Sequence, residues 1–201
     1  MTPAAAVLAA LAQHGLLLKQ DKQLPSVVTI VTGEKLSTSW WSHPKGKLIF
    51  RVLAELADHP DVIVTKLIAG KDTLVHRRLW PALVAVGASG ERWQREKLSP
   101  SARALLAKAD RSKEPIRASG AAVKELASRL LVHAVEEHTE TGRHEIVVQT
   151  WSSWAKQAGV REKLSPTQGR KAIEDACGAM GAPSSALPWA RPASRKATAA
   201  Q

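Results

Sequence analysis

The sequence predicts a mainly α-helical chain with a short β-hairpin. Three patterns carry that expectation. Residues 43–58 place Ile49, Val52, Leu53 and Leu56 at i, i+3, i+4 and i+7, the apolar stripe of an amphipathic helix. Residues 61–76 then read DVIVTKLI, AGKD and TLVH, two β-rich runs around a glycine-containing turn. Ser or Thr directly before Pro recurs at Thr2-Pro3, Ser99-Pro100 and Ser165-Pro166, a pattern that starts helices with a side-chain cap and a proline in the first turn.

Taken in order, residues 3–18 read as an Ala-rich helix capped by Thr2, followed by a polar break from Lys19 to Lys22. VVTIVTG, residues 27–33, has the β-branched content of a strand. Its flanks, Leu24-Pro25-Ser26 before and Gly33 after, favour a short helix, which is the preferred reading. For residues 43–58, Ser42 is the natural cap, Pro44 falls in the first turn, and His59-Pro60 ends the helix. After the hairpin, Arg77 to Val86 is a helix closed by Gly87, with Pro81 tolerable only near its start. Residues 91–98 are a polar connection, a helix runs from Pro100 to about Ala109, and residues 110–120 have linker composition. Residues 121–138 read as one long helix with Val123, Leu126, Leu130 and Leu131 on one side. It is the acidic part of the chain, and one expectation is that it docks a basic partner protein. HEIVVQ, residues 144–149, is a short strand, Thr150 or Ser152 caps a helix reaching Gln157, and a last helix runs from Ser165-Pro166 to near Gly178.

REKLSP occurs twice, at 95–100 and 161–166. The apolar faces that follow do not match, so the repeat reads as two copies of one helix-start device rather than a duplicated module.

This divides the chain into residues 1–98, residues 99–181 as a helical region packed on them, and a basic tail, 182–201, expected to be disordered. A helix pair followed by a hairpin is the layout of a winged helix, so residues 1–98 read as a winged-helix-like unit with additional C-terminal helices.

Composition narrows function. Lys and Arg number 29 against 18 acids, a net charge of +11, which favours polyanionic partners, nucleic acid first. A lone cysteine, Cys177, permits no internal disulfide, and a reducing cytoplasm is the expected location. The apolar run near the N-terminus lacks a basic residue before it, so a signal peptide is rejected, and no apolar stretch is long enough to span a bilayer. His133 and His138 lie five apart, which is not the H-E-x-x-H spacing of a zinc helix, and no phosphate-binding glycine loop occurs. No metal or cofactor is expected.

The candidate nucleic-acid contacts are Lys45, Lys47 and Arg51 on helix 43–58, Lys66 and Lys71 on the wing, and Arg77 and Arg78 after it. Lysines would grip phosphates, and Arg51 could read guanine through its two-pronged fork. The competing reading is a solvated face with an Arg51–Glu55 i,i+4 pair. The chain holds seven Trp against one Phe and no Tyr, and two of them, Trp40 and Trp41, are adjacent. Burial of both against different elements is the preferred reading, and Trp41 is retained as a stacking candidate.

LPSVV (24–28), SWWSHPKG (39–46) and HPDVIVTKLIAGKDTLVHRRLWPALVAVG (59–87) together resemble a group of bacterial winged-helix proteins loosely related to the AlkZ-type (YcaQ) DNA glycosylases. The resemblance covers residues 13–94. It implies tandem winged helices, duplex DNA as ligand, and excision of damaged bases by a Gln-x-Gln or Gln-x-Asp pair. Here the nearest segment is KQDKQ, residues 19–23, where Gln20 and Asp21 are adjacent and the family spacing is broken. The expectation is therefore a binder of nucleic acid, duplex DNA favoured, in DNA maintenance or regulation. The alternatives are a glycosylase-related enzyme using Gln20 or Asp21, and a protein-interaction module.

Overall fold

The computed structural model describes residues 1–138 and 144–190. Helix α1, Pro3–His14, is capped by Thr2, whose Oγ1 accepts from the Ala5 amide. It ends four residues earlier than expected, because Gly15 turns into the left-handed region at φ 83°. The three leucines that follow are strand β1, Leu16–Leu18, each with no exposed surface. An apolar run buried on both faces shows no alternation, so periodicity alone assigns it to the preceding helix.

VVTIVT forms helix α2, Val27–Thr32, as its flanks foretold: Ser26 caps it and Gly33 ends it at φ 84°. Helix α3 is Gly46–Ala57, so the cap expected at Ser42 is displaced. Trp40–Ser42 forms a 3-10 turn instead, and Lys45 takes the cap position without a side-chain bond. The His43 amide is spent on Trp40 O at 3.1 Å, which closes that turn before Pro44 is reached. Strands β2, Val62–Lys66, and β3, Asp72–His76, form the expected hairpin with Lys66 opposite Asp72. β1 pairs with the other edge of β3, giving an antiparallel sheet of order β1-β3-β2.

A 3-10 turn at Arg77–Leu79 leads into α4, Trp80–Gly87, with Pro81 in its first turn. The polar connection holds a short helix, α5, Arg92–Arg95. Helix α6, Pro100–Arg111, is capped by Ser99. The stretch assigned as a linker contains strand β4, Ile116–Ala118.

The long acidic helix does not exist. Helix α7 spans only Ala121–Ser128. Leu130 sits at φ 52°, and the Leu131 amide bonds back to Leu126 O at 3.0 Å. The chain then enters strand β5, His133–His138, paired along its length with β6, His144–Gln149. HAVEEH gains a full ladder of backbone bonds from HEIVVQ, and that pairing overrides its helical propensity. Its acids lie on a strand, so the acidic helical docking surface is withdrawn. Helices α8, Trp151–Gln157, and α9, Pro166–Ala179, complete the chain, capped by Thr150 and Ser165. The serine of each REKLSP copy thus caps a helix that starts at the proline after it, as expected.

The second sheet has the order β4-β6-β5, the same as the first in its own chain sequence. Helix, strand, helix, strand, strand repeats from α6 to β6, with one helix fewer than in α1 to β3. Residues 99–181 are therefore not purely helical, and they carry a second three-stranded sheet.

Among the described residues three clusters form the core. One lies under α1, α2 and α3, and another between α6, α7 and the second sheet. The largest joins Leu16, Val75 and Leu83 to Trp151, Ile173 and Leu187, so residues before and after position 98 share one interior. It also takes in the start of the expected tail: Ala182 and Leu187 are buried and Trp189 donates to Glu174 Oε1 at 2.7 Å. Residues 191–201 of that tail lie outside the described residues. No described helix is long and apolar enough to cross a membrane.

The α4–α9 packing depends on a bare backbone. A Cβ on Gly169 would stand 2.7 Å from Ala82 O and 3.1 Å from the Ala85 Cβ. Gly169→Ala is expected to push the helices apart and cost ~1–3 kcal/mol. A urea melt checks this, with a lowered midpoint and unchanged m-value as the expected result.

Candidate functional site

The tryptophan pair divides into one buried and one exposed ring. Trp40 is 4% exposed and packs in the core with Ile49, whereas Trp41 is 65% exposed. Their rings stack at 3.9 Å and 25°. The preferred reading, burial of both, is thus corrected: the turn closes over Gly46, whose absent Cβ would meet Trp41 O at 3.1 Å. Trp40 fills the space beneath, so Trp41 lies on top of it. On its flank Trp41 meets Phe50, 52% exposed, at 6.0 Å.

Phe50 belongs to the outer face of α3, with Lys47, Arg51 and Ala54, opposite the buried Ile49, Val52 and Leu56. Lys47 and Arg51 take no ion-pair partner among the described residues. Among the described residues the i,i+4 pairs that form are Arg92–Glu96 and Lys171–Asp175, not Arg51–Glu55. Lys45 leaves this group, since its Nζ donates to Thr32 O at 2.9 Å and satisfies the C-terminal end of α2.

Beside Trp41 the wing opens an exposed concavity of ≈ 440 Å³, lined by Lys19, Gln20, Trp41, Lys66, Lys71 and Asp72 among others. Lys66 pairs with Asp72, Lys71 with Asp21 at 2.6 Å, and Lys19 lies 3.9 Å from Asp72. These lysine side chains remain 39–50% exposed. Exposed pairs of this kind hold weakly and can exchange a carboxylate for a phosphate.

Arg77 and Arg78 stand apart. They follow β3 at the base of the hairpin, whereas Lys71 precedes it at the tip, about 17 Å away along a five-residue strand. Arg77 pairs with Asp61 at 3.0 Å, and Arg78 donates to Gln13 O at 3.0 Å. Both lie outside the concavity and tie the hairpin base to its surroundings.

Gln20 and Asp21 are also held in place. Gln20 Nε2 donates to Thr38 O at 2.6 Å. Asp21 accepts from the Gln23 and Leu24 amides at 2.8 and 3.0 Å as well as from Lys71. Burial opposes its ionisation, but the Leu24 amide, Lys71 and the Gln23 amide outweigh that and hold its carboxyl below the ordinary range. Such a carboxylate organises a turn and is a weak base.

Among the described residues no group of His, Cys, Asp or Glu is arranged to hold a metal. His133 lies on β5 rather than on a helix, and it is buried. Cys177 has no exposed surface, and burial followed by Glu174 raises its thiol. His76 is held below its usual value by burial, with Arg78 and Arg77 acting against Asp61.

The chain matches no family model, no curated protein and no solved structure.

Sequence reasoning missed Lys19, Phe50 and Asp72 as members of this surface. Phe50 could have been found: it is the chain's one phenylalanine and sits off the apolar stripe of its helix.

Proposed function

We propose that residues 1–76 are a winged-helix unit and that the protein binds nucleic acid through α3 and the wing. The order α1-β1-α2-α3-β2-β3 with sheet order β1-β3-β2 supports the fold reading. The observation that carries the binding reading is the juxtaposition of exposed Trp41 with Lys19, Lys66 and Lys71 in one concavity, next to a helix face bearing unpaired Lys47 and Arg51. Such a surface grips a phosphate backbone by charge, Arg51 included. Duplex DNA is the favoured ligand, with a role in DNA maintenance or regulation.

Binding should be strongly salt-dependent. With Lys47, Arg51, Lys66 and Lys71 each on a phosphate, log affinity should fall against log salt with a slope near ~−3.6. Lys47→Glu with Arg51→Glu is expected to flatten that slope by about 2, whereas Arg77→Glu with Arg78→Glu leaves it within about 0.5. Tryptophan-fluorescence titration of a short duplex at several salt concentrations reads this directly. A flat salt response of the unaltered chain would sink the reading.

The resemblance to DNA glycosylases supports a second reading, excision of a base with Gln20 or Asp21. The engagement of both side chains in local hydrogen bonds weighs against it. Release of free base from damaged duplex, abolished by Gln20→Ala, would reinstate it.

A further inference from the structure

We infer that Trp41 is a stacking platform for an unpaired nucleobase, so that the preferred ligand is a single strand or a duplex interrupted by an unpaired base rather than a continuous duplex. This rests on the nucleic-acid-binding reading above and departs from its choice of a continuous duplex as the favoured ligand.

The inference starts from how unusual the ring's position is. An indole 65% exposed leaves a large apolar surface in water, whereas Trp40, Trp80, Trp151 and Trp154 are all buried. Trp41 is also packed on one face and one side. One face rests on Trp40 at 3.9 Å, Trp40 is fixed in the core, and Phe50 closes one side at 6.0 Å. A rigid ring with one face supported and the other open gives a base a surface to stack on with little ordering cost. The setting supplies charge of the right sign. Lys19, Lys66 and Lys71 line the same concavity and remain partly exposed, so a strand whose base stacks on the indole meets cations beside the ring. A protein partner with an apolar anchor would meet three ammonium groups here and would need acids to match them. A nucleotide provides the flat ring and the anion in one unit.

A continuous duplex cannot use this ring, because its bases already stack on each other and only their edges are reachable. Phosphate contacts alone do not discriminate between the ligands. Discrimination must therefore come from Trp41.

The test uses the full chain with three probes: a 12-nucleotide oligo-dT, a blunt 16-base-pair duplex, and the same duplex with one central bulged thymine. Unaltered protein is expected to bind the oligo-dT, the bulged duplex or both at least tenfold more tightly than the blunt duplex, with quenching of tryptophan emission; which of the two leads identifies the source of the base. Trp41→Ala is expected to lose about tenfold or more on those probes and less than twofold on the blunt duplex. Trp41→Phe retains a ring and should restore most of the affinity, and a thermal melt confirms that each variant folds. Equal weakening on all three probes, or tighter binding of the blunt duplex by unaltered protein, overturns the inference while the binding reading stands. Absence of binding to every probe at low salt overturns both.

Discussion

Gln94→Ala is expected to be among the most destabilising single substitutions in the protein, costing ~3–5 kcal/mol. Gln94 has no exposed surface, yet every polar atom of its side chain is used. Nε2 lies 3.2–3.4 Å from the carbonyls of Val86, Gly87, Arg129 and Leu130. Oε1 accepts from Ser89 Oγ and from the Glu91 amide, both at 2.9 Å. One amide thus joins the end of α4, the start of α5 and the segment after α7. Arg129 fastens the same junction from the other side, donating to Trp93 O, Gln94 O and Glu96 O. Truncation removes these bonds together and leaves buried donors and carbonyls without their partner, beside a new cavity. Gln94→Met separates the two costs, because it fills the space without hydrogen bonding. It should recover ~1–2 kcal/mol of the loss and no more. Denaturant melts of the three proteins decide the matter, and a methionine variant as stable as the original would show that shape alone matters here.

Much of the first sheet and its helices was legible because the local signals agree with the tertiary contacts. Ser26 and Gly33 bracket α2, and the stripe of Ile49, Val52 and Leu56 is the buried face of α3. The second half was misread where local and long-range preferences disagree. Residues 121–138 keep an apolar spacing through Leu130, but the ladder between β5 and β6 is decided by residues of both strands. Leu16–Leu18 and Ile116–Ala118 are three-residue strands, too short to show a period, and each exists only because a hairpin elsewhere offers an edge. At the candidate site, residue types were a fair guide and geometry was not. Lys66, Lys71 and Trp41 do come together. Lys45, Arg77 and Arg78 are equally basic in sequence, but local carbonyls and Asp61 claim them, and no local pattern marks those partners.

Stability should fall steeply as pH drops from about 6.5 to 4, chiefly through His133, with His76 adding a loss of the same sign. His133 is 6% exposed, and neither ring nitrogen has a hydrogen-bond partner. It is packed against Trp151 and Trp154, with centroids 5.4 and 5.3 Å away. Burial in this aromatic setting pushes its pKa down to about 4. In the unfolded chain the imidazole takes up a proton near pH 6.5, while the folded protein refuses it until about 4. Between those values the unfolded state binds more protons, so stability rises with pH across the window and is lost as pH falls. The loss should reach roughly 3 kcal/mol near pH 4. Asp21, held down by its amide and Lys71 contacts, and Glu125, held down first by its bond to Ser99, add losses of the same sign at lower pH as they protonate. His133→Phe isolates the effect, since it keeps a ring in the space and removes the titrating group. The variant should equal or slightly exceed the original at pH 8, because two unpaired nitrogens are no longer desolvated. At pH 4.5 it should be more stable by about 2 kcal/mol. Urea midpoints of both proteins from pH 4 to 8 test this, and parallel curves would mean that the imidazole is protonated in the folded protein as readily as in water.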